Sequence, residues 1–112
     1  MSYRLACQLQ IGPKNLATSK GEFNQPPTNG QAVNVCKGLI AEGKKEFPKD
    51  NGQAFETAVE KMIKWVESFK DNGYQPKGNG DEHRQEFNYK NDSYRVDIKV
   101  GGKTAEGKWF LK

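Results

Sequence analysis

A chain of 112 residues has room for one hydrophobic core, and at 34% hydrophobic content no apolar run approaches the roughly 18 residues of a membrane span. Mean hydropathy is −0.94, yet twelve aromatics fall in regular patterns, which excludes a disordered polymer. The net charge of +4 divides as +3 over residues 1–50 (7 basic, 4 acidic), −2 over 51–97 (7 and 9) and +3 over 98–112 (4 and 1), so no basic arm demands nucleic acid.

The N-terminus MSYRLACQLQ lacks the basic start and apolar block of a signal peptide, so the expected setting is cytoplasmic. YRLACQLQI then alternates: Tyr3, Leu5, Cys7, Leu9 and Ile11 share one face, and Arg4, Ala6, Gln8 and Gln10 the other. Period-two alternation predicts a strand with one face on the core, ended by Gly12-Pro13. Residues 12–30, rich in Pro, Gly, Asn, Thr and Ser, read as a long surface loop pinned by Phe23.

QAVNVCKGLIAEGKKEF (31–47) gathers Ala32, Val33, Val35, Cys36, Leu39, Ile40 and Phe47 on one helical arc. Thr28 or Asn29 can cap its start and Pro48 ends it. A second helix is marked by Phe55, Val59, Met62, Val66 and Phe69 in one stripe, with Asp50 and Gln53 at capping-box spacing and a stop at Asn72-Gly73. Three strands follow: RQEFNYK, a turn at Asn91-Asp92, SYRVDIKV, a hairpin turn at Gly101-Gly102, and KTAEGKWFLK. The expected architecture is a single α+β domain over 1–112, β-α-α-β-β-β, with an antiparallel sheet and two amphipathic helices on one face.

Two cysteines, Cys7 and Cys36, are too few for a disulfide scaffold and match no zinc spacing; they read as buried reduced thiols, and whether they meet is left open. Asp97-Ile98-Lys99 resembles the D-x-K that metal-dependent nucleases of the PD-(D/E)xK type carry on a strand. The resemblance covers three residues, without a P-D acid upstream or a helix downstream. It implies that Asp97 would help hold Mg²⁺ with a second carboxylate such as Glu86, and that Lys99 would stabilise the scissile phosphate. His83, the only histidine, is a separate candidate for acid–base catalysis. Parity alone also accounts for the motif, because Tyr94, Val96, Ile98 and Val100 take the core face and Arg95, Asp97 and Lys99 the other.

With one histidine, no nucleophile context and no cysteine or histidine cluster, no cofactor or metal site is expected. The expectation is a non-enzymatic binding or regulatory protein, monomer or homodimer, that engages another macromolecule through its polar, mildly basic sheet face. Arg4, Gln8, Lys90, Arg95, Lys99, Lys108 and Phe110 are the candidate contacts. A protein partner is favoured over nucleic acid because the basic charge is modest, and a small metal-dependent nuclease or hydrolase using Asp97 and Lys99 is the alternative.

Overall fold

The computed structural model describes residues 2–102 and 107–112. Six elements follow in order: β1 (Tyr3–Ile11), β2 (Lys14–Phe23), α1 (Asn29–Gly43), α2 (Gln53–Glu67), β3 (Glu82–Tyr89) and β4 (Asp92–Gly102). Short 3₁₀ turns at Lys44–Glu46 and Pro48–Asp50 lead from α1 into α2. The strands form one antiparallel sheet in the order β2-β1-β4-β3, and both helices lie on one of its faces, an α+β fold.

The central pair β1 and β4 supplies the floor of the core. Leu5, Cys7 and Leu9 pair in register with Val100, Ile98 and Val96, and all six are buried under the helices. From above, α1 contributes Val35, Cys36 and Leu39, and α2 contributes Phe55, Val59, Met62 and Val66. The Cys7 and Cys36 thiols meet across this interface at 3.4 Å as free cysteines. Their hydrogen bond, together with burial, raises the Cys7 thiol well above its ordinary value.

Local chemistry sets the helix starts. Thr28 caps α1 by accepting from the Gln31 N–H while the Gln31 side chain accepts from the Thr28 N–H, a reciprocal capping box. At α2, the Asp50 carboxylate accepts from the N–H groups of Gly52 and Ala54, satisfying donors that the first turn leaves free. Between the helices, Phe47 is fully buried against Phe55, Phe87, Tyr89 and Tyr94, with ring centroids 4.9 to 5.5 Å away. It ties the connection between helices to the β3–β4 hairpin.

Three expectations change. Residues 12–30 are not a loop throughout, because Lys14–Phe23 forms β2 and returns along β1 as a hairpin. Its core-facing residues are Ala17, Ser19, Gly21 and Phe23, so it carries little hydrophobic signal. Ala17, Ser19 and Gly21 are small because α1 lies close: a side chain at Gly38 would meet the Ser19 hydroxyl, and one at Gly21 would meet the Phe23 ring and Val35. Gly101-Gly102 is the end of β4 and not a described hairpin turn; of the strand expected next, residues 103–106 lie outside the described residues.

The described end of the chain departs from the strand reading and enters the helix layer. Trp109 exchanges backbone bonds with Tyr74, Phe110 N–H donates to Pro27, and Leu111 O accepts from Asn29 N–H. Phe110 therefore does not stand on the outer sheet face; it is fully buried among Trp65, Phe69 and Tyr74. Its φ of +64 lies in the left-handed region, so the period-two alternation that placed it outward does not apply. Among the described residues no helix is long and apolar enough to cross a membrane.

Candidate functional site: the open face of the sheet

No described helix packs on the second face of the sheet. Register fixes its contents row by row. Glu22, Arg4 and Gly101 form one row, Lys20, Ala6, Lys99 and Glu82 the next, then Thr18, Gln8, Asp97 and Arg84, and after these Gln10, Arg95 and Glu86. Side chains within a row are neighbours, so this is a direct map of what a partner would meet.

Ala6 and Gly101 are the short residues in that map, and the face dips around them. One depression of about 270 Å³ is lined by Arg4, Ala6, Asn79, Gly80, Lys99, Val100 and Gly101. A second, of about 250 Å³, is lined by Arg4, Leu5, Ala6, Lys20, Gly21 and Glu22. The two share Arg4 and Ala6, so three cations, Arg4, Lys20 and Lys99, stand around adjoining shallow depressions, with Glu22 on the rim of the second. Glycine backbone at Gly21, Gly80 and Gly101 keeps the rim low.

The Asn79-Gly80 rim is held in place from below. Gly80 N–H donates to Val100 O at 2.8 Å, and the Tyr74 hydroxyl donates to the Asp81 carboxylate. Asp81 also accepts from the Lys77 N–H at 3.0 Å and the Glu82 N–H at 3.1 Å. Burial pushes the Asp81 carboxyl up, but these donors hold it below its ordinary value.

Beside the depression lies a network built on Asp97. Its side chain is 0% exposed although it stands on the open face, in one row with the longer Gln8 and Arg84 and between Arg95 and Lys99 along β4. Arg84 lies 3.5 Å from one Asp97 oxygen, 3.2 Å from Glu82 and is itself 40% exposed; Lys99 lies 3.7 Å from Glu82. Neither Asp97 oxygen has a hydrogen-bond donor among the described residues. Burial raises the Asp97 carboxyl above its ordinary value; Lys99 lowers it, Glu82 raises it, and Arg84 and Arg95 lower it, with burial prevailing.

Of the candidate contacts, Arg4, Gln8, Arg95 and Lys99 share the open face. Arg95 is already engaged, donating to the Gln10 side chain at 3.1 Å and to Gly12 O in the β1–β2 turn. Gln10 in turn donates to Gln8 at 3.3 Å. Lys90 sits on the β3–β4 turn with its ammonium over the Tyr89 ring. Lys108 is exposed beside Gly73 in the terminal segment, away from this face, and Phe110 is buried behind the sheet.

Asp97 and Lys99 are neighbours on β4, and Glu86 lies on the same face across from Arg95. His83 does not join them: it pairs with Ile98 on the helix side and stacks on Trp65 at 4.3 Å, with Gln85 at 2.8 Å from its Nε2. Burial lowers the His83 imidazole below its ordinary value. Among the described residues, no three His, Cys, Asp or Glu side chains converge into a set that could hold a metal ion. Three cations, Lys99, Arg84 and Arg95, act on Asp97 against the single carboxylate of Glu82, and they oppose a further positive charge there.

Lys20 and Thr18 are the functional candidates that sequence reasoning missed. Their hidden signal was the pairing of KNLATSKGEF back onto β1, which hydrophobic periodicity does not report. No family model matches the chain, and neither a curated protein nor a solved structure matches it.

Proposed function

We propose that this chain is a binding protein that engages an acidic surface of another protein through the open face of its sheet. The observation that carries the reading is the adjoining shallow depressions at Ala6, with Arg4, Lys20 and Lys99 around them. Carboxylate side chains are small enough to enter them and can take charge-assisted hydrogen bonds from these cations. The balance of Lys20, Arg4, Arg84, Arg95 and Lys99 against Glu22, Glu82, Glu86 and Asp97 leaves the face as a whole only mildly basic. Such mixed charge suits a patterned protein surface more than the uniform field of a phosphate backbone. Single-stranded nucleic acid is further disfavoured because, with Phe110 buried, the described residues of the face offer no aromatic platform on which bases stack.

A glutamate-rich peptide and a single-stranded oligonucleotide of equal charge, each fluorescently labelled, test the reading by anisotropy. The peptide should bind, and Arg4→Ala/Lys99→Ala should weaken it by about tenfold or more, the loss of two charge-assisted contacts. Tighter binding of the oligonucleotide, or peptide binding indifferent to the two substitutions, would contradict it.

One observation favours hydrolysis using Asp97 and Lys99: a buried carboxylate without hydrogen-bond donors beside a lysine is an ordinary sign of a reactive site. That reading requires degradation of DNA or RNA with Mg²⁺ or Mn²⁺ that Lys99→Ala abolishes while the fold persists.

A further inference from the structure

The sheet has two edges, and they are built differently. β2 breaks register with β1 at Leu9/Gln10, and carries Lys14, Lys20 and Gly21, devices that discourage a strand from adding to it. β3 has none of them. Its pairing with β4 runs without a break from Glu82↔Lys99 to Tyr89↔Asp92, and EHRQEFNY contains no proline, glycine or lysine.

The hydrogen-bond phase of this edge follows from one bond. Val100 N–H donates to Asp81 O at 3.0 Å, and bonded residues alternate along an antiparallel ladder. Asp81, His83, Gln85, Phe87 and Tyr89 therefore turn their backbone groups toward β4. Glu82, Arg84, Glu86 and Asn88 turn theirs outward, and all four are exposed. The Glu82 N–H is already taken by Asp81, which leaves Arg84, Glu86 and Asn88 as the open stretch.

We propose that β3 pairs antiparallel with β3 of a second copy, with Arg84 opposite the partner's Glu86 about a two-fold axis at Gln85. In this register, Arg84 and Glu86 of each copy exchange both backbone hydrogen bonds, as their outward phase allows. The open faces then join in rows of alternating charge: Arg95 and Glu86 of one copy continue into Arg84 and Asp97 of the other. On the helix side, His83 meets Phe87 of the second copy, extending the rows that contain Ile98 and Tyr94.

The neighbouring registers that keep the same phase and faces are worse. A slip in one direction sets Glu86 against Glu86, and in the other Arg84 against Arg84, like charges directly opposed. Self-pairing doubles the four-stranded sheet and makes the two open faces continuous, so an acidic partner of sufficient length could span both. The pairing does not depend on that partner.

Sedimentation equilibrium from about 10 µM to about 1 mM tests it, the range where a strand-edge contact of modest area associates. Weight-average mass should rise from 12.6 kDa toward twice that value. Glu86→Arg should weaken association by about tenfold or more, and Arg84→Glu/Glu86→Arg should restore it by exchanging the two charges. Because a carboxylate at position 84 would adjoin Asp97, amide shifts of the unaltered chain on dilution provide a second readout. Those of Arg84, Glu86 and Asn88 should move more than those of Gln85 and Phe87. A monomer at every concentration, association unchanged in Glu86→Arg, or amide changes confined to another strand would overturn the proposal.

Discussion

Asp97 concentrates the tension in this molecule. It occupies the middle of a polar face yet is fully buried, and neither oxygen finds a hydrogen-bond donor among the described residues. Its carboxyl is raised, so the native state holds that proton more tightly than the unfolded chain does. Stability therefore falls as pH rises from the ordinary value of 3.8 through the native one, and the full cost is present at neutral pH. Asp97→Asn should stabilise the protein at about pH 7, by on the order of 1 kcal/mol, the scale of one uncompensated buried polar group. The gain should vanish below about pH 3, where both forms are neutral. Urea denaturation at the two pH values measures this, and equal stability at neutral pH would show that Arg84 and Lys99 fully compensate the charge.

His83 shows the opposite sign. Its lowered imidazole means that the unfolded chain takes up a proton more readily than the native one. The stabilisation is complete above the ordinary value of 6.5 and is lost as pH falls through the native value. His83→Phe keeps a flat ring on Trp65 but cannot be protonated. Its stability should thus change less than that of the parent between about pH 7 and about pH 5, measured by thermal melts. An equal slope in both proteins would place the titrating group elsewhere.

At the scale of elements, legibility followed side-chain size. β1, β4 and α2 were readable because Leu5, Cys7 and Leu9, then Val96, Ile98 and Val100, then Phe55, Val59, Met62 and Val66 carry the period of their element in bulky residues. β2 was hidden because Ala17, Ser19 and Gly21 face α1, where closeness rather than bulk fills the space. Gly38, which argues against a helix by propensity, is the matching concession on α1. In the terminal segment the alternation of the sequence breaks at Phe110, a left-handed residue that no pattern of side chains can reveal. Phe47 continues the α1 stripe by periodicity, but it lies beyond the helix and bridges the helix layer to β3 and β4. Phe47→Ala should cost about 3–5 kcal/mol, the range for a fully buried aromatic, in urea denaturation. A loss under about 1 kcal/mol would mean that the cluster collapses around the gap.

For the whole molecule, the helices cover one side of the sheet, and among the described residues no helix covers the other, so packing constrains the side chains there least. The sequence made the odd positions of β4 and even positions of β1 legible as that side, because parity alone assigns them. The depression was not legible: it needs Lys20 beside Ala6, a pairing between residues 6 and 20 that depends on the unseen strand. The D-x-K motif is absorbed into this picture. Asp97 and Lys99 are members of a charge network with Arg84 and Glu82, and Lys99 also forms one wall of the depression.

The most direct test puts a photo-activated cross-linking amino acid in place of Thr18, on the open face beside Lys20 and Gln8, and a control in place of Glu60 on the exposed side of α2. Irradiation in the native cell should yield a defined acidic protein adduct from Thr18 that is absent from Glu60 and lost when Arg4→Glu/Lys99→Glu is added. Adducts to nucleic acid from Thr18, or the same adducts from both positions, would contradict a protein-binding sheet face.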